Sequence, residues 1–338
     1  FAVLACQLGA RRVYAIEPEP VIQVAREIAA ANGCADRIEF IEDISTRVTL
    51  PVRADVIVSD LRGVLPLFQG HLPSIADARR RFLAPGGTLI PRRDAIWVSV
   101  VEAPEQYGRV VDGWEKNVLD LNLDPARRLA VNDFQKARFT PQQLLAPPQL
   151  WTTIDYSAVE SADVRGTLKF SIQRPGTGHG IVAWFDTCLA DGIGFSNAPN
   201  AAEAIYGSMF LPWTEPVSLA EGQTLDVDLQ AAPVENDYVW RWTTQIDSAE
   251  GSGGGRRFVQ SRLAGAVFSL SRLRRSALDY VPQLSEDGCL NRRVLELMDG
   301  KNSLEAIARK LTAEYPQRFA RWEQALAHAA KCSQEHSK

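Results

Sequence analysis

Short β-branched and apolar runs that close on an acid, each followed by a turn or a helical stretch, constrain this chain more than any other feature. Val13-Tyr14-Ala15-Ile16 ends on Glu17, and Pro18 leads into a helical period over Pro20 to Asn32. In that stretch Val21, Val24, Ala25, Ile28 and Ala29 fall on one face, and Asn32-Gly33 supplies the stop signal. Ile38 to Ile41 ends on Glu42-Asp43, and Ala54 to Ser59 ends on Asp60. A helix is expected over Leu72 to Leu83, then a tight turn at Pro85-Gly86-Gly87 that feeds a last strand, Thr88 to Pro91. Strands alternating with helices in this way make βαβ units. The expectation is a doubly wound, mainly parallel sheet whose ligand crevice lies at the carboxyl ends of its strands. Glu17, Asp43 and Asp60 would then share one rim.

Beyond Pro91 the pattern changes. Ala95 to Val101, Leu150 to Tyr156, Gly166 to Ile172, Gly180 to Phe185, Thr224 to Leu229 and Asp237 to Ile246 are short runs rich in Val, Trp, Phe, Tyr and Thr. Their alternation, with a turn cluster over Arg174 to Gly178, argues for antiparallel strands in a β-barrel or sandwich. The tryptophans Trp184, Trp213, Trp240 and Trp242 read as its core. A mixed stretch from Glu105 to Pro141 interrupts the strands, and Glu250 to Gly255 reads as a flexible hairpin tip or linker.

A third pattern begins near Leu290. Val294, Leu295, Leu297 and Met298, then Leu304, Ile307, Ala308 and Leu311, describe two short amphipathic helices split by Asp299-Gly300, with Ser303 capping the second. Trp322 to Ala330 reads as a third. The domains implied are an α/β domain at 1–93, a β-barrel-like domain at 94–272 with an inserted segment at about 105–141, and a small helical domain at 280–338.

Composition excludes several classes. A net charge of −4 gives no global basic field for nucleic acid, and the clusters Arg79-Arg80-Arg81 and Arg272 to Arg275 read as solvated helix faces. No apolar run is long enough to span a bilayer, so no membrane partner is expected. The five cysteines lack CxxC spacing, which implies neither a disulfide framework nor a zinc site and fits a cytoplasmic compartment. Four scattered histidines suggest no metal. At the chain start, Phe1 to Leu8 with Gly9 behind it reads as the back half of a helix, so a helix start upstream is expected.

The ordered set of short motifs resembles the protein arginine methyltransferase family. It comprises Gly9 to Glu17, Asn32, Leu50-Pro51, Asp55 to Ser59, Gly63 and Phe82 to Pro91, followed in the β-rich half by Gly180 to Asp186 and Gly194-Phe195-Ser196. The resemblance covers roughly residues 1 to 247. It implies a Rossmann-like half that binds S-adenosylmethionine, with its first strand and glycine-rich loop expected upstream of Phe1, and a barrel that follows it. It also implies a head-to-tail homodimer through an arm at Glu105 to Pro141, carrying Tyr107, Trp114, Val118, Leu119 and Leu121. The alternative for that segment is an ordinary surface excursion.

The resemblance implies that Glu17, followed by Pro18, holds the ribose hydroxyls, and that Asp43, Ile44 and Ser45 meet the adenine. Position alone supports Glu17, since a carboxylate offers several acceptor sites to a diol; a solvated strand-end acid is the alternative. Two glutamates grip the acceptor guanidinium in the family. Here they fall on Asp60 and Gln69, which weakens a charge-assisted bidentate grip, and Arg62 adds a positive charge where a cationic substrate would enter. The family's threonine-histidine-tryptophan element would fall near Glu203-Ala204-Ile205 and is not recognisable. From Leu290 the chain resembles the peptide chaperone of pyrroloquinoline-quinone biosynthesis, through Asn291 to Gly300, Leu304 to Ala308, Leu311 and Tyr315-Pro316. The reading is an S-adenosylmethionine-dependent methyltransferase acting on a protein or peptide, with Asp60 and Gln69 at the acceptor. The alternative is a non-catalytic peptide-binding scaffold that keeps the fold.

Overall fold

The computed structural model describes residues 1–116, 121–202, 205–248 and 255–337. The chain divides into two compact units, Phe1–Val267 and Phe268–Lys338. The first opens with α1 (Ala2–Gln7), β1 (Val13–Ile16), α2 (Ile22–Ala31), β2 (Ile38–Ile41), β3 (Ala54–Val58), α3 (His71–Phe82) and β4 (Leu83–Ile90). The helix-ending glycines Gly9 and Gly33 take φ of 101° and 65°, the left-handed conformation that lets a chain leave a helix.

β1 pairs with β2 and β3 with β4, both in parallel. They form two two-stranded sheets that do not pair with each other among the described residues. Each pair packs in a different core. The β1–β2 pair shares a small core with α1 and α2 built on Cys6, Ala29, Cys34 and Ile38. The β3–β4 pair instead sends Ile57 and Leu89 into the large core of the β-rich half, alongside Leu65, Leu67, Leu72 and Ile75. The turn expected at Pro85-Gly86-Gly87 lies inside β4: the register jumps from Ala54 opposite Leu83 to Val56 opposite Thr88, so residues 84–87 bulge from the ladder.

The β-rich half comprises β5 (Arg93–Val101), α4 (Pro104–Glu115), α5 (Asp124–Ala130), β6 (Gln135–Ala137), β7 (Gln149–Asp155), β8 (Val164–Ser171), β9 (Gly176–Ala190), β10 (Ile193–Ser196), β11 (Ser208–Leu219), β12 (Thr224–Val234), β13 (Asp237–Ile246), β14 (Arg256–Ser261) and the short α6 (Arg262–Gly265). One sheet runs β6-β11-β9-β5-β7 with β10 beside β9, and the other runs β14-β13-β12-β8. Every pairing within them is antiparallel. Trp213, Trp240 and Trp242 are buried in the core the two sheets share, as expected, while Trp184 is buried in a second core outside it.

One local expectation is corrected and one strand is added. Gly176, Thr177 and Gly178 are not a turn; they start β9, opposite Leu219, Ser218 and Val217. A Cβ on Gly178 would come within 2.6 Å of the Trp213 ring, so glycine here admits an aromatic side chain rather than bending the chain. The sequence also hides β11, because Pro212 sits in it; a register break between Pro212 and Val217 accommodates the missing donor.

The stretch from 105 to 141 is built around α4, whose Tyr107, Val110 and Val111 pack with Val182, Trp184 and Phe210 in that second core. Tyr107 is thus a core residue, and its hydroxyl donates to the Thr214 carbonyl at 3.2 Å. Trp114 and Leu121 are exposed on the same stretch. Val118 and Leu119, like Glu203, Ala204 and 250–254 of the proposed linker, lie outside the described residues.

The second unit holds α7 (Leu270–Arg275), α8 (Glu286–Leu297), α9 (Leu304–Glu314) and α10 (Trp322–His336). Leu290, Val294, Leu297, Ile307, Ala308, Leu311 and Ala325 form its core. The Asp299-Gly300 turn and the Ser303 cap stand where the sequence places them. Asp299 Oδ1 accepts from the amides of Lys301 and Asn302, Gly300 has φ of 74°, and Ser303 Oγ accepts from the Ala306 amide at 3.2 Å.

Candidate functional site

The parallel register of β1 and β2 sets Ile16 opposite Ile41, and the Glu17 amide continues the ladder by donating to the Ile41 carbonyl at 3.1 Å. Glu17, Pro18 and Asp43 therefore emerge together at one carboxyl end, the position an open α/β sheet uses for ligands. Glu17 Oε1 accepts from the Glu19 amide at 3.0 Å, which restrains the carboxylate. Asp43 Oδ1 accepts from the Ile44 amide at 2.7 Å. Ile44 itself is exposed, and the chain turns after it, the Arg47 amide donating to its carbonyl. This arrangement suits a nucleoside: restrained carboxylate oxygens for hydroxyls beside an exposed aliphatic face for a base.

Arg81 anchors that turn from α3. It donates to the carbonyls of Ser45 and Val48 at 2.7 and 2.6 Å while its guanidinium pairs with Asp77. Arg79 pairs with Glu160 and donates to the Tyr156 carbonyl. Of the triplet read as a solvated face, only Arg80 stands out in solvent; Arg79 and Arg81 tie α3 to neighbouring loops.

The loop after β3 carries the second group. The Ser59 amide donates to the Ile90 carbonyl, which fixes the strand end, and Asp60 follows. Gly63 lets the loop fold on itself, since a Cβ there would come within 2.6 Å of the Phe68 ring. Gln69 is exposed and holds a left-handed backbone, φ 43°, ahead of Gly70. Among the described residues no hydrogen bond joins Asp60 and Gln69 directly.

What Asp60 does meet was missed by the sequence reading. Its Oδ1 accepts from Arg62 Nε at 3.0 Å and its Oδ2 from the Tyr206 hydroxyl at 2.6 Å. Arg62 is not an exposed charge at the entrance: its side chain is only 2% accessible. Nη1 donates to Asp94 Oδ1 at 3.2 Å and to Thr187 Oγ1 at 2.7 Å, and the guanidinium carbon lies 5.2 to 5.8 Å from the rings of Phe195, Phe185 and Tyr206. The sheet dictates this. Asp94 is opposite Thr187 in β5–β9, and Thr187 is opposite Phe195 in β9–β10, so the three form one row across one face.

The row continues inward. Asp94 also accepts from Thr187 Oγ1 and from the Tyr156 hydroxyl, both at 2.5 Å, and Tyr156 is 2.9 Å from His71 Nε2. Because the Tyr156 proton goes to Asp94, its oxygen receives the His71 Nε2 proton. His71 Nδ1 is then a bare acceptor, buried and without a partner among the described residues. Burial, with Arg62 nearby, lowers the His71 pKa to about 3, and burial pushes Tyr156 far above its ordinary value. Burial also raises Asp94, against the pull of Arg62, Thr187 and Tyr156. Burial opposes the charge on Arg62, but Asp94 and Asp60 offset it and leave its pKa raised. Tyr206 is pushed up to about 12 by burial and by its bond to Asp60.

An α/β half followed by a β-rich half is a fold shared with solved arginine methyltransferases. Arabidopsis thaliana protein arginine methyltransferase 10, in an open conformation, superposes with a TM-score of 0.66 at 19% identity, covering 77% of this chain and 85% of that one. The Trypanosoma brucei PRMT1 enzyme-prozyme heterotetrameric complex with AdoHcy superposes with a TM-score of 0.66 at 20% identity, covering 76% and 84%. These likenesses establish the fold: a Rossmann-like half followed by a β-barrel-like half.

Residues 92–245 match the arginine methyltransferase oligomerization subdomain. Probable protein arginine N-methyltransferase 6 of Arabidopsis thaliana is 27% identical over 214 residues, 61% of this chain and 49% of its own length. Human protein arginine N-methyltransferase 2 is 32% identical over 183 residues, 52% of this chain and 42% of its own length. The chain is protein arginine methyltransferase-like, and it spans about half the length of these relatives.

Proposed function

We propose that the chain serves an S-adenosylmethionine-dependent methyltransferase with a divergent acceptor pocket. The observation that carries this is the β1–β2 rim, where Glu17 and Asp43 emerge together and Glu17 is held by the Glu19 amide. On this reading Glu17 and Pro18 border the ribose, Asp43, Ile44 and Ser45 border the adenine, and Asp60 orients the acceptor with Gln69 at the pocket edge. S-Adenosylmethionine brings an activated methyl group. The chain's own task is to hold it and to keep water and competing nucleophiles out of line.

On this reading the sequence-based domains 1–93 and 94–272 are two functional parts built mainly on the first compact unit, Phe1–Val267, and 280–338 lies within the second, Phe268–Lys338. The match to an oligomerization subdomain supports a homodimer formed through residues 92–245. A protein or peptide acceptor and a cytoplasmic setting complete the reading, with arginine methylation as the family precedent. Among the described residues no helix is long and apolar enough to cross a membrane. The helical unit from Phe268 onward would recruit a peptide.

A second reading, a scaffold that keeps the fold without the chemistry, is favoured by one observation: both oxygens of Asp60 are already engaged by Arg62 and Tyr206. Calorimetric binding of S-adenosylhomocysteine to the full-length reading frame separates the two. Micromolar binding weakened about tenfold or more by Glu17→Ala, at 1.4 kcal/mol per tenfold step, supports the enzyme. A folded protein that does not bind leaves the scaffold.

A further inference from the structure

We propose that Arg62 is a specificity-determining residue: it occupies the Asp60 carboxylate as an internal guanidinium, so that the acceptor pocket admits a neutral side chain and turns away a cationic one. The inference rests on the proposal that Asp60 faces the acceptor, and it deepens that proposal by naming the acceptor's charge class.

Three observations carry it. First, Arg62 is a built part of the pocket. Its side chain is 2% accessible, it donates to Asp60, Asp94 and Thr187, and three aromatic rings stand within 6 Å of its guanidinium carbon. A carboxylate and aromatic faces are the groups that recognise a guanidinium in any protein, and here the guanidinium they recognise belongs to the same chain. Second, Asp60 has no unused oxygen, because the Tyr206 hydroxyl holds Oδ2 at 2.6 Å while Arg62 holds Oδ1. An incoming guanidinium would need both oxygens for a bidentate contact and would meet a fixed like charge beside them. A neutral hydroxyl or carboxamide needs one remaining lone pair and meets no such repulsion.

Third, a second acid fixes Arg62 in place. Asp94, fully buried and directly opposite Thr187, neutralises the guanidinium from the sheet side, so Arg62 would have to leave a buried ion pair to clear the pocket. The titratable and charged groups that face it are Asp60 on its own loop, Asp94 on β5, Tyr156 after β7, His71 on α3 and Tyr206 before β11.

The test uses a charge pair of equal shape, N-acetyl-arginine amide and its neutral isostere N-acetyl-citrulline amide. Each is titrated into the intact protein while the Tyr206 and Phe195 ring signals are followed by NMR. The citrulline compound is expected to shift them at concentrations where the arginine compound does not. In the paired variant Arg62→Met with Asp94→Asn, which removes the internal cation without stranding its buried partner, the order reverses. The arginine compound then binds about tenfold tighter than the citrulline compound, and adding Asp60→Asn abolishes that gain. Equal or preferential binding of the arginine compound by the unmodified protein overturns the inference, as does a folded paired variant that binds neither. S-Adenosylhomocysteine binding is measured on the same samples. Its absence would sink the cofactor reading, while the arginine and citrulline titrations still judge Arg62.

Discussion

Replacing His71 by methionine should flatten the acid side of the stability profile. His71 is 1% exposed, and its pKa falls from 6.5 to about 3 through burial first and the neighbouring Arg62 second. Its folded pKa lies below its unfolded one. Between the two values the unfolded chain therefore holds a proton that the folded chain refuses. Stability from this residue is complete above 6.5 and is lost as pH falls from 6.5 towards 3. At 1.36 kcal/mol per pKa unit the whole interval amounts to roughly 4–5 kcal/mol, and the part lost by pH 4.5 to about 2.7 kcal/mol.

Urea unfolding followed by tryptophan fluorescence at pH 7 and 4.5 measures it, because seven of the eight tryptophans lie in the unit that contains His71. At pH 7 the His71→Met protein should be less stable by about 1 kcal/mol, since the Tyr156 oxygen loses its donor. At pH 4.5 that difference should reverse sign. If the wild type and the variant lose equal stability between the two pH values, the buried, singly protonated imidazole is wrong.

Two further outcomes follow from the packing. Arg81→Ala releases the carbonyls of Ser45 and Val48 without removing any group proposed to touch the cofactor, and should weaken S-adenosylhomocysteine binding about tenfold in calorimetry while leaving the melting of the β-rich half unchanged. Ser303→Ala removes the acceptor for the Ala306 amide and should lower the stability of the helical unit by about 1 kcal/mol, read as faster exchange of the amides of α9.

Much of the architecture could be read from periodicity, and the exceptions have physical causes. Asp237 to Ile246 is a strand from end to end as its alternation implies, because each second residue enters a continuous core. Gly176 to Gly178 misleads because glycine is used there to admit Trp213, a partner far along the chain. The acid-tipped strand ends mark Glu17 and Asp43 correctly as neighbours, since a two-stranded parallel register decides that locally. The Arg62 network was not legible, because it joins residues 62, 94, 156 and 187 through sheet pairing. One signal was available: period two puts Asp94 on the same face as Ile96, Val98 and Val100, and an acid on a core face requires buried partners. Arg62 was noticed as a charge, but nothing in its neighbourhood said that the charge was spoken for.

The division of the α/β half between two cores has a consequence for how occupancy would be felt. Residues around β1 and β2 rest on a core of four buried side chains, whereas β3 and β4 are anchored in the aromatic interior of the β-rich half. A molecule reaching from Glu17 to Asp60 would act as a staple between the element on the smaller core and the one on the larger core. Its protection against proteolysis would then concentrate in the first 48 residues and leave the barrel strands as they were.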